Sequence, residues 1–212
     1  MNVDKVSKLN NKWGYIHIER GVMLRLRPYK IMDAKYLIEW MEDEKTFVQW
    51  CANHLPYPLS REGLAEYKVN CDNSEDSWLL TAIDENGKPV GHILVKLVNF
   101  EENSIHLGHV IVDSKNRCKG LGKDLLKLAL IYAFDVLRVS KVTLGVFDNN
   151  PIAYNCYKSL GFEEYEYFEK EFPYHNEMWG CYNMQILSKV HYIKKINREG
   201  DVDYILKREI KC

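Results

Sequence analysis

The sequence lacks several features that would define whole classes of protein. Its six cysteines include no Cys-x-x-Cys pair, which favours free thiols in a reducing compartment over disulfides or structural zinc. The 29 basic and 30 acidic residues nearly cancel, so no electrostatic footprint for nucleic acid is present. No apolar run reaches membrane-spanning length, and the first residues lack the apolar core of a signal peptide. The seven histidines show no metal-ligand spacing. We therefore expect a cytoplasmic protein without metal, nucleic-acid or membrane partners.

The length and apolar patterning indicate one mixed α/β domain. With 212 residues and 46% hydrophobic content, the chain can bury a full core. Alternation and helical periodicity predict strands that enclose a crossover helix, which gives a mixed sheet. The predicted strands are Val22–Pro28, Trp78–Ile83, Val90–Val98, Ser104–Val112, Val142–Val146, Glu163–Phe168 and Trp179–Leu187; the predicted helices run from Asp33 to Met41, near Arg61–Val69, over Leu125–Leu137 and over Pro151–Leu160.

The two ends of the chain stand apart from this pattern. Residues 1–21 form an N-terminal extension in which Tyr15–Ile18 could add a short strand. Residues 188–212 form a C-terminal extension, where Val190–Ile196 and Val202–Ile210 flank a turn and predict a hairpin. We expect the main domain to span residues 22–187, and the hairpin to add an edge or to contribute to a homodimer interface.

The loop Arg117–Gly122 predicts an anion site. It follows an apolar strand and opens directly into a helix, where free backbone N–H groups and the helix dipole favour negative charge. Gly120 and Gly122 allow close backbone approach because they carry no Cβ. Three basic side chains add charge for a phosphate; they are Arg117, Lys119 and Lys123.

Two better-known phosphate loops do not fit this spacing. A Walker loop requires glycine where Arg117 stands and Ser or Thr where Asp124 stands. A dinucleotide fingerprint requires a small residue where Leu125 stands. The remaining alternative is a glycine turn before an amphipathic helix with no ligand.

A second motif follows the next strand. Asn150 is a good helix N-cap, and Pro151 suits the first helical position. Ala153 and Tyr157 are spaced so that they share one face of that helix. Gly161-Phe162 then ends the helix and begins another strand. For Tyr157 alone, the alternative is an ordinary core aromatic.

The two motifs together resemble the GNAT superfamily of acyl-CoA-dependent N-acetyltransferases over about residues 22–187. Within it the chain is most similar to the broad group that includes the ribosomal-protein N-terminal acetyltransferases. The resemblance implies a mostly antiparallel central sheet, with helices on both faces and a splay between its two central strands where acetyl-CoA enters. It implies a coenzyme site made of Val110, Ile111, Val112, Arg117, Cys118, Lys119, Gly120, Leu121, Gly122, Lys123, Asn150, Ala153 and Tyr157.

The expected chemistry is direct acetyl transfer to a primary amine. A lysine-like amine must lose its proton to attack, which costs about 4.6 kcal/mol at pH 7 for a pKa of roughly 10.4. The reaction also needs a donor for the developing oxyanion and a proton for the leaving thiolate. By resemblance, the strand Val110–Val112 would polarise the carbonyl, and Tyr157 would donate to the sulfur.

The general base is the point at which this sequence departs from the family. Many members carry Glu on the strand before the loop, and the nearest position here holds His106, whose ordinary pKa of roughly 6.5 suits the role. Glu101, Glu102 and His109 are weaker candidates, and a water relay is an equal alternative. Cys156 is expected to pack in the core, because neighbouring helical residues face different directions.

The sequence does not identify the amine that accepts the acetyl group. The acceptor site is expected in the region before the second strand, where its apolar walls would be formed by Trp40, Trp50, Tyr57 and Tyr67. The carboxylates that could attract a cationic acceptor are Glu42, Asp43, Glu44, Glu163, Glu164 and Glu166. These carboxylates could equally form a solvated face. Candidate acceptors are a protein N-terminus, a polyamine, an aminoglycoside or an amino acid. A non-catalytic acyl-CoA-binding regulatory module is the alternative from another class.

Overall fold

The fold is built on one eight-stranded sheet. The computed structural model describes residues 16–17, 23–99, 101–117, 119–188, 190–196 and 202–208. The sheet strands, in chain order, are β1 (Ile16–His17), β2 (Met23–Pro28), β3 (Ser77–Ile83), β4 (Pro89–Asn99), β5 (Ser104–Val112), β6 (Lys141–Phe147), β7 (Glu163–Tyr174) and β8 (Glu177–Leu187). Their spatial order is β1-β2-β3-β4-β5-β6-β8-β7, and only β5 and β6 run parallel. This confirms the mixed sheet expected from the sequence and the mostly antiparallel arrangement that the resemblance implies.

Five α-helices in the described part of the chain cover the sheet in two groups. They are α1 (Ala34–Trp40), α2 (Glu44–Cys51), α3 (Arg61–Asp72), α4 (Leu121–Ile131) and α5 (Pro151–Ser159). One buried cluster packs α4 and α5 against one side of the sheet through residues such as Leu125 and Tyr157. A second cluster packs α1, α2 and α3 through residues such as Leu37, Phe47 and Leu64. We call these two sides the α4 face and the α2 face.

The helix predicted over Leu125–Leu137 begins earlier and changes character. It starts at Leu121, because Gly120 occupies the N-cap position with φ 85°, a conformation that glycine adopts without strain. The α-helical part ends at Ile131, and a π-helical turn continues over Tyr132–Val136.

Two further expectations are corrected. The sequence reading missed α2 altogether, although Asp43 accepts a hydrogen bond from the Thr46 amide and caps it. The strand expected over Glu163–Phe168 continues to Tyr174, because β7 stays paired with β8 across a register shift between Phe168 and Phe172.

The chain ends agree with the predicted strands where they are described. β1 pairs with β2, within the Tyr15–Ile18 segment. β9 (Val190–Ile196) and β10 (Val202–Arg208) pair as an antiparallel hairpin. The turn expected at Asn197–Gly200 lies outside the described residues. No helix in the described part of the chain is long and apolar enough to cross a membrane.

Candidate active site

The central parallel pair of strands opens into a splay. β5 and β6 pair only at their beginnings, from Ser104–Lys141 to His106–Thr143. Beyond His106, β5 keeps its antiparallel partner β4 but has no pairing with β6. The β6-facing edge of Leu107–Val112 therefore has backbone groups that an extended ligand can use as a strand would.

A bulge marks β5 within the splay. The register with β4 shifts between His92 and Leu94, so that two residues of β5, His109 and Val110, lie opposite a single residue of β4. His109 has φ 47°, a left-handed conformation that costs a non-glycine residue about 1–2 kcal/mol. Neighbouring contacts must therefore hold the bulge in place. Val110, Ile111 and Val112, expected to face the pantetheine arm, lie in and after this bulge.

The start of α4 is open to an anion. Side chains cap three other helices, namely Asp43 for α2, Ser60 for α3 and Asn150 for α5, but Gly120 provides no side-chain cap for α4. The Asp124 amide donates to the Gly120 carbonyl, which leaves the preceding helix amides for another acceptor. A Cβ placed on Gly122 would meet no protein atom within 4 Å. The residues of this helix start are Leu121, Gly122 and Lys123.

Two cations of the phosphate loop, Arg117 and Lys119, are engaged with the protein. Arg117 donates to the Glu42 carboxylate at 2.9 Å and to the Trp40 carbonyl at 3.1 Å. Lys119 donates to the Lys115 carbonyl at 3.1 Å. The two Arg117 bonds join the loop to the end of α1 and the segment after it, so a phosphate would have to compete with Glu42 for Arg117. Cys118 lies outside the described residues.

Asn150 and Ala153, predicted to bind the coenzyme, lie at the start of α5. The Asn150 side-chain oxygen accepts from the Ala153 amide at 3.2 Å, which is an N-cap bond. The preceding residue, Asn149, accepts from the Gln49 amide at 2.8 Å and thereby links this loop to α2. The cap therefore fixes the orientation of α5 and of the face that carries Tyr157.

Tyr157 lies in the α4-face core and keeps its hydroxyl proton. Its ring packs on Phe162 at a centroid distance of 5.9 Å, and the residue is buried. Burial raises the pKa of its hydroxyl well above the ordinary range. The hydroxyl makes no hydrogen bond to any described residue, so its proton is available to a ligand. This arrangement suits the expected proton donor.

His106 lies where the splay begins. Its Nδ1 is 3.0 Å from the Thr143 hydroxyl, and that hydroxyl is 3.3 Å from the Ile105 carbonyl. When Thr143 donates to Ile105, Nδ1 is the donor to Thr143, and Nε2 is left as a proton acceptor. Burial and the nearby Lys96 charge lower the pKa of His106, which favours the neutral imidazole.

His106 gives a testable pH dependence. Only the neutral imidazole accepts a proton, so activity should rise with pH through the pKa of His106. Because that pKa is lowered, the limb should fall below the ordinary value of roughly 6.5. His106→Gln should remove the limb and lower kcat, with acetyl-CoA affinity retained. A pH–rate profile of His106→Gln that overlays the wild type would leave a water relay as the explanation.

The other base candidates have different surroundings. Glu101 and Glu102 lie exposed in the turn before β5, and Glu102 pairs with Lys141 at 2.6 Å. His109 is enclosed by aromatic rings, with Trp50 at 5.2 Å and Tyr67 at 5.3 Å between centroids. Burial, with His54 and His106 nearby, lowers the pKa of His109 to about 3, so it is a weak base.

The predicted acceptor walls are partly brought together. Trp50 and Tyr67 are buried beside His109, while Trp40 packs elsewhere in the α2-face core and Tyr57 is 49% exposed. The carboxylates, by contrast, mostly have partners within the protein: Glu42 binds Arg117, Asp43 caps α2, Glu44 binds His175, Glu164 binds Tyr154 and Glu166 binds Asn183.

The sequence reading missed the contacts that α2 makes with the site. Trp50 Nε1 donates to the His109 carbonyl at 2.7 Å, across 59 positions of sequence. No local sequence pattern predicts a hydrogen bond between residues so far apart in the chain. The helix itself had a signal, since Asp43 followed by Glu44 is a common helix start.

The fold and these motifs define an acyl-CoA-dependent transferase, and comparison with known proteins identifies the family. Residues 34–162 match the acetyltransferase (GNAT) family, which is more than half of the chain. The chain belongs to this family and is an N-acetyltransferase that acts on an amine.

Individual relatives are distant. The spermidine N(1)-acetyltransferase of Vibrio cholerae is 27% identical over 127 residues, which cover 60% of this chain and 69% of that protein. The N-acetyltransferase 9-like protein of Caenorhabditis elegans is 22% identical over 164 residues, which cover 70% and 80%. The crystal structure of spermidine N-acetyltransferase from Vibrio cholerae in complex with CoA and spermine has a TM-score of 0.68, 22% identity, and coverage of 77% and 95%. Membership of the ribosomal-protein N-terminal group stays a prediction.

Proposed function

We propose that this protein transfers the acetyl group of acetyl-CoA directly to a primary amine of a small polyamine. The main support for acetyl-CoA as the donor is the uncapped start of α4 beside the splay between β5 and β6. The pyrophosphate would bind the amides of Leu121, Gly122 and Lys123, with Arg117 and Lys119 adding charge. The pantetheine arm would then bind along the free edge of Val110–Val112.

The proposed reaction has one chemical stage within a ternary complex. The neutral amine attacks the thioester carbon, and a bulge amide of β5 stabilises the oxyanion. His106 Nε2 takes the amine proton directly or through water, and Tyr157 donates its proton to the departing thiolate. No acyl-enzyme is required. Cys156 is on the same helix as Tyr157, but burial raises the pKa of its thiol and makes the nucleophilic thiolate scarce.

The polyamine acceptor is proposed from the relatives and from the lining of the site. Two of the similar proteins are named for acetylation of spermidine. Trp50 and Tyr67 pack together beside the β5 bulge, and aromatic rings attract ammonium groups on a chain of methylenes. A protein N-terminus is the other acceptor within the same chemistry.

The domain boundaries, the oligomeric state and the cellular location are part of the same proposal. We propose that residues 22–187 form the transferase domain between extensions at 1–21 and 188–212. The β9–β10 hairpin would then be available for self-association as a homodimer. A cytoplasmic location fits an acetyl-CoA-dependent enzyme with free thiols.

A competition assay tests the acceptor. The protein is given acetyl-CoA with equal concentrations of spermidine and a short peptide with a free N-terminus, and acetylated products are separated by mass. We expect acetylspermidine to form at least about tenfold faster, because a difference of about 1.4 kcal/mol in transition-state binding gives that ratio. Faster acetylation of the peptide would assign the enzyme to the protein N-terminal acetyltransferases instead.

A further inference from the structure

The β5 bulge is held by two hydrogen bonds from the α2 face. Trp50, on α2, donates from Nε1 to the His109 carbonyl at 2.7 Å. Tyr67, on α3, places its hydroxyl 2.8 Å from His109 Nδ1. Both aromatic residues are buried, so neither bond competes with bulk water. One residue with a strained backbone is thus fixed at its carbonyl and at its side chain.

Fixing the His109 carbonyl also fixes the next amide. The carbonyl of His109 and the N–H of Val110 belong to one trans peptide plane and point in opposite directions. Because the carbonyl points to Trp50 on the α2 face, the Val110 N–H points away from α2. Val110 itself packs against the α4-face cluster that contains Tyr157.

We infer that Trp50 and Tyr67 are positioning residues that aim the Val110 N–H at the carbonyl of the bound thioester. The inference rests on the proposed function, since it needs acetyl-CoA in the splay. It assigns to α2 and α3 a role beyond lining the acceptor side. The helices that would contact the amine also set the geometry of the group that polarises the donor.

The network keeps one protonation state over the working range of pH. Burial raises the pKa of the Tyr67 hydroxyl, so Tyr67 stays a donor. Burial lowers the pKa of His109 and of His92 to about 3, so both imidazoles stay neutral. His92 Nε2 lies 3.4 Å from the Tyr67 hydroxyl, which allows the order His92 to Tyr67 to His109 for donation. The positioning should therefore not vary with pH, in contrast to His106.

The chain offers matched controls for both residues. Trp50→Phe and Tyr67→Phe each remove one donor and keep an aromatic ring. Trp78 and Tyr29 are aromatic residues whose Nε1 and hydroxyl are buried and have no partner among the described residues. Trp78→Phe and Tyr29→Phe therefore delete the same chemical groups without deleting a hydrogen bond.

The kinetic test separates positioning from packing. We expect Trp50→Phe and Tyr67→Phe each to lower kcat at least about tenfold, less than the roughly hundredfold or more lost when an oxyanion donor is removed. The KM for acetyl-CoA should stay within about twofold, because the pyrophosphate site is untouched. Trp78→Phe and Tyr29→Phe should match the wild type. Unchanged kcat in both test variants, or equal losses in the controls, would overturn the inference.

A spectroscopic readout decides the inference without any acceptor. In the wild type, replacing CoA with acetyl-CoA should shift the Val110 amide proton resonance, because the thioester carbonyl binds that N–H. The shift should shrink in Trp50→Phe and Tyr67→Phe and persist in the two controls. A full shift in both test variants contradicts the positioning role. A wild type that acetylates no amine would refute the proposed function, while this shift would still decide the role of Trp50 and Tyr67.

Discussion

Tyr157→Phe should lower kcat by roughly a hundredfold or more, with little change in acetyl-CoA affinity. The substitution keeps the ring that packs on Phe162 and removes only the hydroxyl. That hydroxyl is protonated at neutral pH, burial raises its pKa further, and it makes no hydrogen bond to a described residue. Its loss therefore leaves the core intact and takes away the proton for the thiolate. The measurement is steady-state thiol release with saturating amine.

A second tyrosine provides the comparison. Tyr132 is half-buried, packs edge-on against Trp78 with 6.3 Å between the ring centroids, and follows α4 on the same side of the sheet. Tyr132→Phe should leave kcat unchanged. If Tyr157→Phe also turned over at the wild-type rate, the role of Tyr157 would be packing alone, and water would have to protonate the thiolate.

Gly122→Val should weaken acetyl-CoA binding strongly while the fold survives. A Cβ at this position meets no protein atom within 4 Å, and the residue lies in the first turn of α4. The added side chain would therefore project into the space that the pyrophosphate must approach. We expect an affinity loss of about a hundredfold, which corresponds to two or more lost amide–phosphate hydrogen bonds of roughly 1.5 kcal/mol each.

A smaller substitution at the same position should cause a smaller loss of acetyl-CoA affinity. Gly122→Ala adds one methyl group and favours the helix by up to about 1 kcal/mol, so its thermal stability should not fall. Its acetyl-CoA affinity should lie between those of the wild type and Gly122→Val by calorimetry. Unchanged affinity in a folded Gly122→Val protein would mean that the start of α4 does not bind the donor.

The sequence predicted the elements that carry local signals. The Asn150 cap, the Pro151 start and the glycine loop before α4 each act within a few residues, so their chemistry is visible in the chain. The strand β2 followed from the alternation of apolar and polar residues in Val22–Pro28. The splay was expected only from resemblance, and the limited pairing of β5 with β6 now describes it.

Long-range contacts account for what the sequence did not show. The bond from Trp50 to His109 and the bond from Gln49 to Asn149 join parts of the chain 59 and 100 positions apart. Arg117 was expected as a phosphate ligand from its charge, but its partner Glu42 depends on how α1 packs beside the loop. Such partners are set by tertiary packing, which periodicity and spacing do not encode.

The most direct test measures both products of transfer in one reaction. The full chain is incubated with acetyl-CoA and spermidine, and free CoA thiol and acetylated amine are followed together. The account predicts equal amounts of the two, a rate far above that without amine, and loss of both in Tyr157→Phe. Thiol release that no amine accelerates, in a protein that still binds acetyl-CoA, would contradict it and indicate a non-catalytic acyl-CoA-binding module.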